Sequence, residues 1–92
     1  IFRDAIDKMV DHSCDAKTEE SMKREILKVP GVRRVDLLKT RLFGSKMYVD
    51  IEIAADGNIS LFDAHDIAEN VHHTIENKFK DVKHCMVHVN PM

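Results

Sequence analysis

The 92-residue sequence has few aromatic residues: it contains no tryptophan and one tyrosine, and aromatics make up 5% of it. A nucleic-acid module built on a sheet needs aromatic side chains on which bases can stack. The formal net charge is −2, from 14 basic and 16 acidic residues. This balance gives no general attraction to nucleic acid or to anionic lipid. We therefore expect no nucleic acid among the partners.

Cysteines and long apolar runs are also scarce. The two cysteines, Cys14 and Cys85, are too few for a disulfide framework and have no CxxC spacing, which favours a reducing compartment. No apolar run approaches the roughly 18 residues that span a bilayer, and no signal peptide is visible. We expect no direct insertion of this chain into a membrane.

The sequence offers no combination of residues typical of an enzyme. It has no nucleophile–base pair at a strained turn and no phosphate-binding loop. A chain of this length forms one small domain that is marginally stable alone and has little room for an enclosed pocket. We therefore expect a binding or interaction domain and no enzymatic activity.

The first segment, residues 1–14, places apolar residues at helical spacing. Because the chain starts with Ile1, this segment is interpreted either as a connector helix from a preceding domain or as a frayed terminus, and the folded domain is expected over residues 15–92. His12 and Cys14 could bind a soft metal, although solvated loop residues show the same pattern.

Hydrophobic periodicity and turn residues predict an α+β domain. The predicted elements are a helix capped by Thr18 and ended by Pro30, a strand over 32–43, a strand from Met47, a helix capped by Ser60, and a strand over 82–90. The turns fall at Gly44 and at Asp56-Gly57. A helix between two strands makes the last strand parallel to a strand of the hairpin. These patterns predict a three-stranded sheet with the helices on one face.

The expected buried residues of the second helix are Leu61, Ala64, Ala68, Val71, Ile75 and Phe79. A row of histidine and glutamate residues borders this stripe, at His65, Glu69, His72 and Glu76. Such a row can be a solvated shoulder or a set of metal ligands. In the first strand the alternation is imperfect, which predicts a bulge or an exposed edge.

The uncovered sheet face is expected to collect polar side chains from three strands: Asp36, Asp50, His84, His88 and Asn90. A half-buried sheet ordinarily has such a polar side. The mixture of carboxylate and imidazole nevertheless fits Zn, Fe, Mn or Co better than Ca or Cu(I). Residue pattern alone leaves both interpretations open.

Six local features occur in one order along the chain: VPGV at 29–32, KTR at 39–41, a glycine turn at Gly44, YVDIE at 48–52, AH at 64–65 and HVNP at 88–91. With the order helix, strand, strand, helix, strand, they resemble the cytosolic C-terminal domain of cation diffusion facilitator (cation efflux) transporters. The resemblance covers about residues 15–91.

This resemblance implies a ferredoxin-like or metallochaperone-like two-layer sandwich that forms a V-shaped homodimer on the cytoplasmic face of a membrane. The implied partners are a second copy and the protein's own transmembrane domain, to which residues 1–14 would connect. Divalent cations such as Zn, Fe or Mn would bind at the dimer interface, close the dimer and favour transport.

The resemblance also places metal ligands at five positions: Asp50, His65, His88, Asn90 and Asp36. Asn90 stands where aspartate is commoner and Asp36 where a nitrogen donor is frequent, which indicates a weaker or harder-ion site. The sequence leaves open whether three further residues take part: His84, His72 and Cys85.

Two further interpretations concern the kind of ligand. Tyr48, on the face that carries Asp50, resembles an aromatic position in the magnetosome branch of the family, whose members are linked to iron. The alternative function is a small-ligand regulatory domain of the same architecture, which would bind an amino acid rather than a metal.

Overall fold

A computed structural model describes residues 16–92. It contains, in order, α1 (Ala16–Leu27), β1 (Arg34–Phe43), β2 (Lys46–Ala55), α2 (Leu61–Lys78) and β3 (Val82–Pro91). The predicted α+β order is confirmed. The predicted connector over residues 1–14, including His12 and Cys14, lies outside the described residues.

The three strands form one sheet in the order β1-β2-β3, so β2 is central. β1 and β2 are antiparallel and are joined by a tight turn, in which Gly44 has a φ of 62° that favours glycine. β3 is parallel to β2, as a connection through a helix requires. The sheet topology predicted from the sequence is therefore correct.

The hydrophobic core lies between the two helices and one face of the sheet. Alternate residues of β2 point into it, because successive side chains of a strand lie on opposite faces. The core is formed by fully buried residues of α1, β2 and α2: Met22, Ile26, Val49, Ile51, Ile53, Val71 and Ile75. We call the covered side of the sheet the inner face and the opposite side the outer face.

The segment between β2 and α2 holds a turn and a helix cap, as predicted. The backbone N–H of Asn58 donates to Oδ1 of Asp56 at 2.9 Å, which stabilises the turn. Oγ of Ser60 accepts from the backbone N–H of Asp63 at 3.0 Å. This bond satisfies one of the unpaired donors at the helix start.

Two predictions about the helices are wrong. α1 includes Ala16 and Lys17, so Thr18 lies inside the helix and does not cap it. Leu61, predicted to be buried, is 87% exposed. It is the first residue of α2, and the stripe that packs against the core lies farther along this helix, at Val71 and Ile75.

β1 is an edge strand with a bulge, as its imperfect alternation predicts. The register shifts between Val35, which faces Ile53, and Leu37, which faces Glu52. Asp36 lies in this irregularity. Farther along β1 the hydroxyl of Thr40 is buried and donates to Oε2 of Glu19 at 2.8 Å, which ties the edge strand to α1. No helix among residues 16–92 is long and apolar enough to cross a bilayer.

Candidate metal centre

The outer face of the sheet carries most of the side chains predicted as metal ligands. Along β2, Tyr48, Asp50 and Glu52 lie on this face and alternate with the buried Val49 and Ile51. Neither helix covers them, because both helices pack against the inner face. The polar groups are therefore accessible to an ion or to a partner.

Asp50 lies at the middle of β2 and forms an ion pair with the edge strand. Its Oδ2 is 3.5 Å from Nη2 of Arg41, and both side chains are partly exposed. In the register, Asp50 is opposite Lys39 on β1 and Met86 on β3. Two cationic side chains of β1 thus lie near this carboxylate, and a bound cation would compete with Arg41 for it.

A second group of polar side chains, which we call the carboxylate cluster, consists of Asp36, Glu52 and Asn90. One member comes from each strand. Nδ2 of Asn90 donates to Oδ2 of Asp36 at 3.1 Å and to Oε1 of Glu52 at 3.2 Å. The amide thus links two carboxylates that would otherwise repel each other.

Two neighbouring donors favour the ionised form of the Asp36 carboxyl. Nε of Arg34 donates to Oδ1 of Asp36. This bond, followed by the one from Asn90, lowers the pKa of the Asp36 carboxyl below its ordinary value, because both donors favour the ionised form. Each predicted aspartate ligand therefore has its own arginine within one chain.

The histidines of β3 share the outer face with Asp50. His88 is opposite Glu52 in the β2–β3 register, which places it diagonally to Asp50 and beside the carboxylate cluster. His84 is opposite Tyr48, with 6.2 Å between their ring centroids. Tyr48 also makes an edge-on contact with Phe43 at 5.3 Å. The sheet therefore brings together Asp36, Asp50, His88 and Asn90, as predicted from the alternation.

His65 lies in a different layer from these residues. It is in the second turn of α2, with a side chain 73% exposed and Nε2 3.7 Å from Oε1 of Glu69. Because Asp50 points to the opposite side of the sheet, one chain does not bring these two residues to a common ion. Among residues 16–92 no group of three or more His, Cys, Asp and Glu side chains is arranged to hold a metal ion.

Two of the residues that the sequence left open lie away from the outer face. Cys85 is on the inner face and only 3% exposed. Burial, together with the negative charges of Glu76 and Asp50, raises the pKa of its thiol to about 12, so the thiolate that a metal needs is disfavoured. His72 lies on α2, with Nε2 3.0 Å from Oε2 of Glu76.

Glu52 is the residue of this face that the sequence analysis did not include among the candidate ligands. The alternation in YVDIE places it beside Asp50, but the same pattern fits any solvated strand position. Only the structure, in which Oε1 of Glu52 accepts from Nδ2 of Asn90, shows that Glu52 belongs to the carboxylate cluster. In the register Glu52 is opposite His88. Carboxylate, amide and imidazole groups together suit hard and borderline divalent cations.

Comparison with known proteins matches residues 14–92 to the family model described as cation efflux protein, cytoplasmic domain. Three curated relatives are MneP, a manganese efflux system protein of Bacillus subtilis (strain 168), metal tolerance protein 2 of Oryza sativa subsp. japonica, and the magnetosome protein MamM of Paramagnetospirillum magneticum. They are 29%, 31% and 29% identical to this chain over 91, 84 and 83 residues. The matches cover 99%, 91% and 90% of the chain, but only 31%, 22% and 26% of the relatives.

The solved structures that resemble this fold include variants of the MamM CTD. One superposes with a TM-score of 0.82 at 23% identity, covering 85% of this chain and 99% of the other. Another, in a manganese form, has a TM-score of 0.79 at 25% identity and covers 83% and 96%. The fold predicted from the resemblance is thereby confirmed. The chain belongs to the cation efflux protein family and corresponds to its cytoplasmic domain.

Proposed function

We propose that this chain is the regulatory domain of a divalent-cation transporter, acting as a homodimer that binds cations between its two copies. The observation that carries the proposal is the open outer face, on which Asp50 and His88 lie diagonally to each other on neighbouring strands within an incomplete ligand set. The proposed dimer closes from an open V-shape when the cation binds, and the closed form favours transport.

The split of the ligands is what would make the site a switch. Asp50, His88 and the carboxylate cluster lie on the sheet, whereas His65 lies on the helix layer of the same chain. A cation that needs ligands from both groups draws them from two copies. An ion shifts a conformational equilibrium only by its different affinity for the two states, and ligands from two copies meet in the closed state alone.

The proposed ligands are Asp50, His65, His88, Asp36 and Asn90, to which the geometry adds Glu52. Asn90 holds the two carboxylates of its cluster through Nδ2, and it would present its amide oxygen to a cation by rotating its amide group. Carboxylate-rich coordination suits Mn and Fe, and the histidines also suit Zn. Among the solved relatives, MamM CTD variants occur in manganese and cadmium forms.

The proposed setting is the cytoplasmic face of a membrane. The chain spans between about a fifth and a third of the length of the curated relatives it matches, and two of these relatives are named as manganese efflux system proteins. We infer that the remainder of the protein is a transmembrane domain that residues 1–14 connect to this one. The proposal also includes the regulatory role, the two partners (a second copy and the transmembrane domain) and the absence of enzymatic activity.

Calorimetric titration with Zn, Mn and Fe(II) tests the metal site. The double substitution Asp50→Ala with His88→Ala should weaken binding by at least about tenfold, because it removes two ligands. Both side chains lie on the outer face, so each substitution should change the free energy of unfolding by no more than about 0.5 kcal/mol. His73→Ala is the matched control, since His73 is an exposed histidine on α2.

Small-angle scattering of the same samples tests the closure. The dimensions of the wild-type dimer should decrease when the cation is added, and those of the double variant should not. Unchanged affinity in the double variant would refute the proposed site. A chain that is stabilised by amino acids but by none of the three metals in a thermal-shift panel would support the small-ligand alternative instead.

A further inference from the structure

The net charge of −2 hides an uneven distribution of charge along the domain. At one end of the domain α1 begins at Ala16, β1 turns into β2, and α2 is followed by β3. These segments carry four exposed lysines: Lys17, Lys46, Lys80 and Lys83. We call these four residues the basic end. Their exposure leaves each ammonium group open to a partner of negative charge.

Backbone and groove contacts bring the segments of the basic end together. The backbone N–H of Met47 donates to the carbonyl oxygen of Asp81 at 2.9 Å, which joins the start of β2 to the loop before β3. Lys17 and Lys80 line one groove of about 410 Å³, although they are far apart in sequence. Lysines from α1, β2, the α2–β3 loop and β3 therefore share one end of the domain.

The lysines of the basic end form no ion pairs within residues 16–92. A fifth lysine of the groove, Lys78, does form one, because its Nζ lies 2.8 Å from Oε1 of Glu25. Two exposed acidic side chains, Glu20 and Asp81, lie in the same segments. They offset part of the charge, and an excess of positive charge remains.

The opposite end of the domain carries acidic side chains instead. β2 runs from Lys46 to Ala55 and Asp56 follows it, so roughly 30 Å separate the two charged residues at about 3.3 Å per residue. Asp63 and Asp66, near the start of α2, lie at this second end. Exposed charges farther apart than about 8 Å are largely screened at physiological ionic strength. The acidic end therefore does not cancel the attraction of the basic end for an anionic surface.

The position of the basic end in the chain indicates which anionic surface it meets. Residues 1–15 join the described chain here, at the start of α1, and in the proposed function they lead to a transmembrane domain. Clusters of about four or more lysines beside a membrane span bind the headgroups of anionic lipids. Phe43, which is 49% exposed and pairs with Lys46 in the hairpin, adds a ring that can contact the headgroup layer.

We propose that the basic end is a docking surface for the anionic lipid headgroups of the cytoplasmic leaflet. The ammonium groups would contact phosphate oxygens at the membrane surface, and the chain would not insert into the bilayer. This inference rests on the membrane setting of the proposed function and goes beyond it, because the contact requires neither a bound cation nor a second copy of the chain.

Co-sedimentation of the complete 92-residue chain with vesicles, in chelator and at low salt, tests this surface. Vesicles of phosphatidylcholine and phosphatidylglycerol should bind the chain, and vesicles of phosphatidylcholine alone should not. Salt at about 1 M should release it, because the screening length then falls to about 3 Å. The double substitution Lys46→Gln with Lys80→Gln should weaken binding at least about tenfold, since each lysine near an anionic surface contributes roughly fivefold.

Lys28→Gln with Arg33→Gln is the matched control. It removes the same amount of charge away from the basic end, because Lys28 follows the end of α1 and Arg33 lies beside Asp56. Vesicle binding should be unchanged in this variant. The thermal midpoint without vesicles checks that both double variants remain folded.

Two results would overturn the docking surface. One is equal binding by the wild type and the Lys46/Lys80 variant, and the other is an equal loss in the two double variants. A wild-type chain that does not bind the anionic vesicles would also overturn it, while leaving the metal-dependent dimer to its own calorimetric test. Vesicle binding by a chain that fails to bind any of the three metals would support the surface and refute the proposed metal site alone.

Discussion

The two faces of β2 differ completely in environment although they are built from alternating residues of one segment. Val49, Ile51 and Ile53 are buried under both helices, whereas Asp50 and Glu52 lie between them in sequence and face the open side. The inner face contributes hydrophobic burial, which is the dominant favourable term in folding. The outer face contributes charged groups held in register by the sheet.

This separation means that stability and ligand binding depend on different side chains of the same strand. The sheet backbone is shared, so it fixes the spacing of the outer-face groups without requiring them for the fold. Substitutions on the inner face should therefore lower stability, whereas substitutions on the outer face should affect ligand binding and leave stability nearly unchanged.

The largest expected effect is on the inner face. Ile51→Ala removes a completely buried side chain from the centre of the sheet and should lower the free energy of unfolding by about 2–5 kcal/mol. Asp50→Asn, at the adjacent position on the outer face, should change it by about 0.5 kcal/mol or less. Urea denaturation in chelator, at one fixed protein concentration, measures both. Similar losses in the two variants would contradict the separation of the faces.

The next effect uses the buried thiol on the inner face of β3. Burial raises the pKa of Cys85 from its ordinary 9.0 to about 12, so the unfolded chain loses this proton at a lower pH than the folded chain. The stability that the folded chain gains from this difference in pKa is fully present below pH 9.0 and is lost as the pH rises towards 12. Between these two pH values the thiol's contribution to the free energy of unfolding should fall by about 1.4 kcal/mol per pH unit.

The comparison with Cys85→Ala isolates this contribution from the other groups that titrate in alkali. The alanine variant has no thiol, so its unfolding free energy should decline less steeply above pH 9.0 than that of the wild type. Urea denaturation at a series of alkaline pH values gives both slopes. Parallel curves would show that the folded and unfolded chains hold the thiol proton equally well.

Local sequence patterns were sufficient for most of the fold. The alternation of β2, the cap at Ser60 and the turn at Asp56 each depend on neighbouring residues, and the structure confirms all three. The exposure of Leu61 could not be predicted in this way. Helical periodicity places it on the apolar stripe, but only the three-dimensional packing determines where α2 meets the sheet.

The candidate site was predictable only in part, for a related reason. Alternation assigns Asp50, His88 and Asn90 to one face, and the structure agrees. Alternation does not give the register between strands, so the contact of Glu52 with Asn90 was not foreseen. Nor could it show that His65 and Asp50 lie in different layers, because that depends on which sheet face the helices cover.

The smallest expected effect is electrostatic and confined to the outer face. Donation from Arg34, and then from Asn90, holds the pKa of Asp36 below its ordinary value. Arg34→Gln should therefore raise this pKa more than Asn90→Ala does, because it removes the larger cause. Arg33→Gln is the matched control, since Arg33 lies beside Asp56 and not beside Asp36. Carboxyl-carbon NMR titration of the apo chain measures all three variants.

The sign of the accompanying stability effect follows from the direction of the shift. A carboxyl whose pKa is lowered in the folded chain stabilises it above the ordinary pKa, and this stabilisation is lost as the pH falls through the folded value. Wild type should therefore lose slightly more stability in acid than Arg34→Gln does. Because Asp36 is partly exposed, solvent keeps this difference small. An Asp36 pKa that is identical in all three variants would show that the carboxylate cluster does not form in solution, and the proposed ligand set would then lose its strand-to-strand link between Asp36 and Asn90.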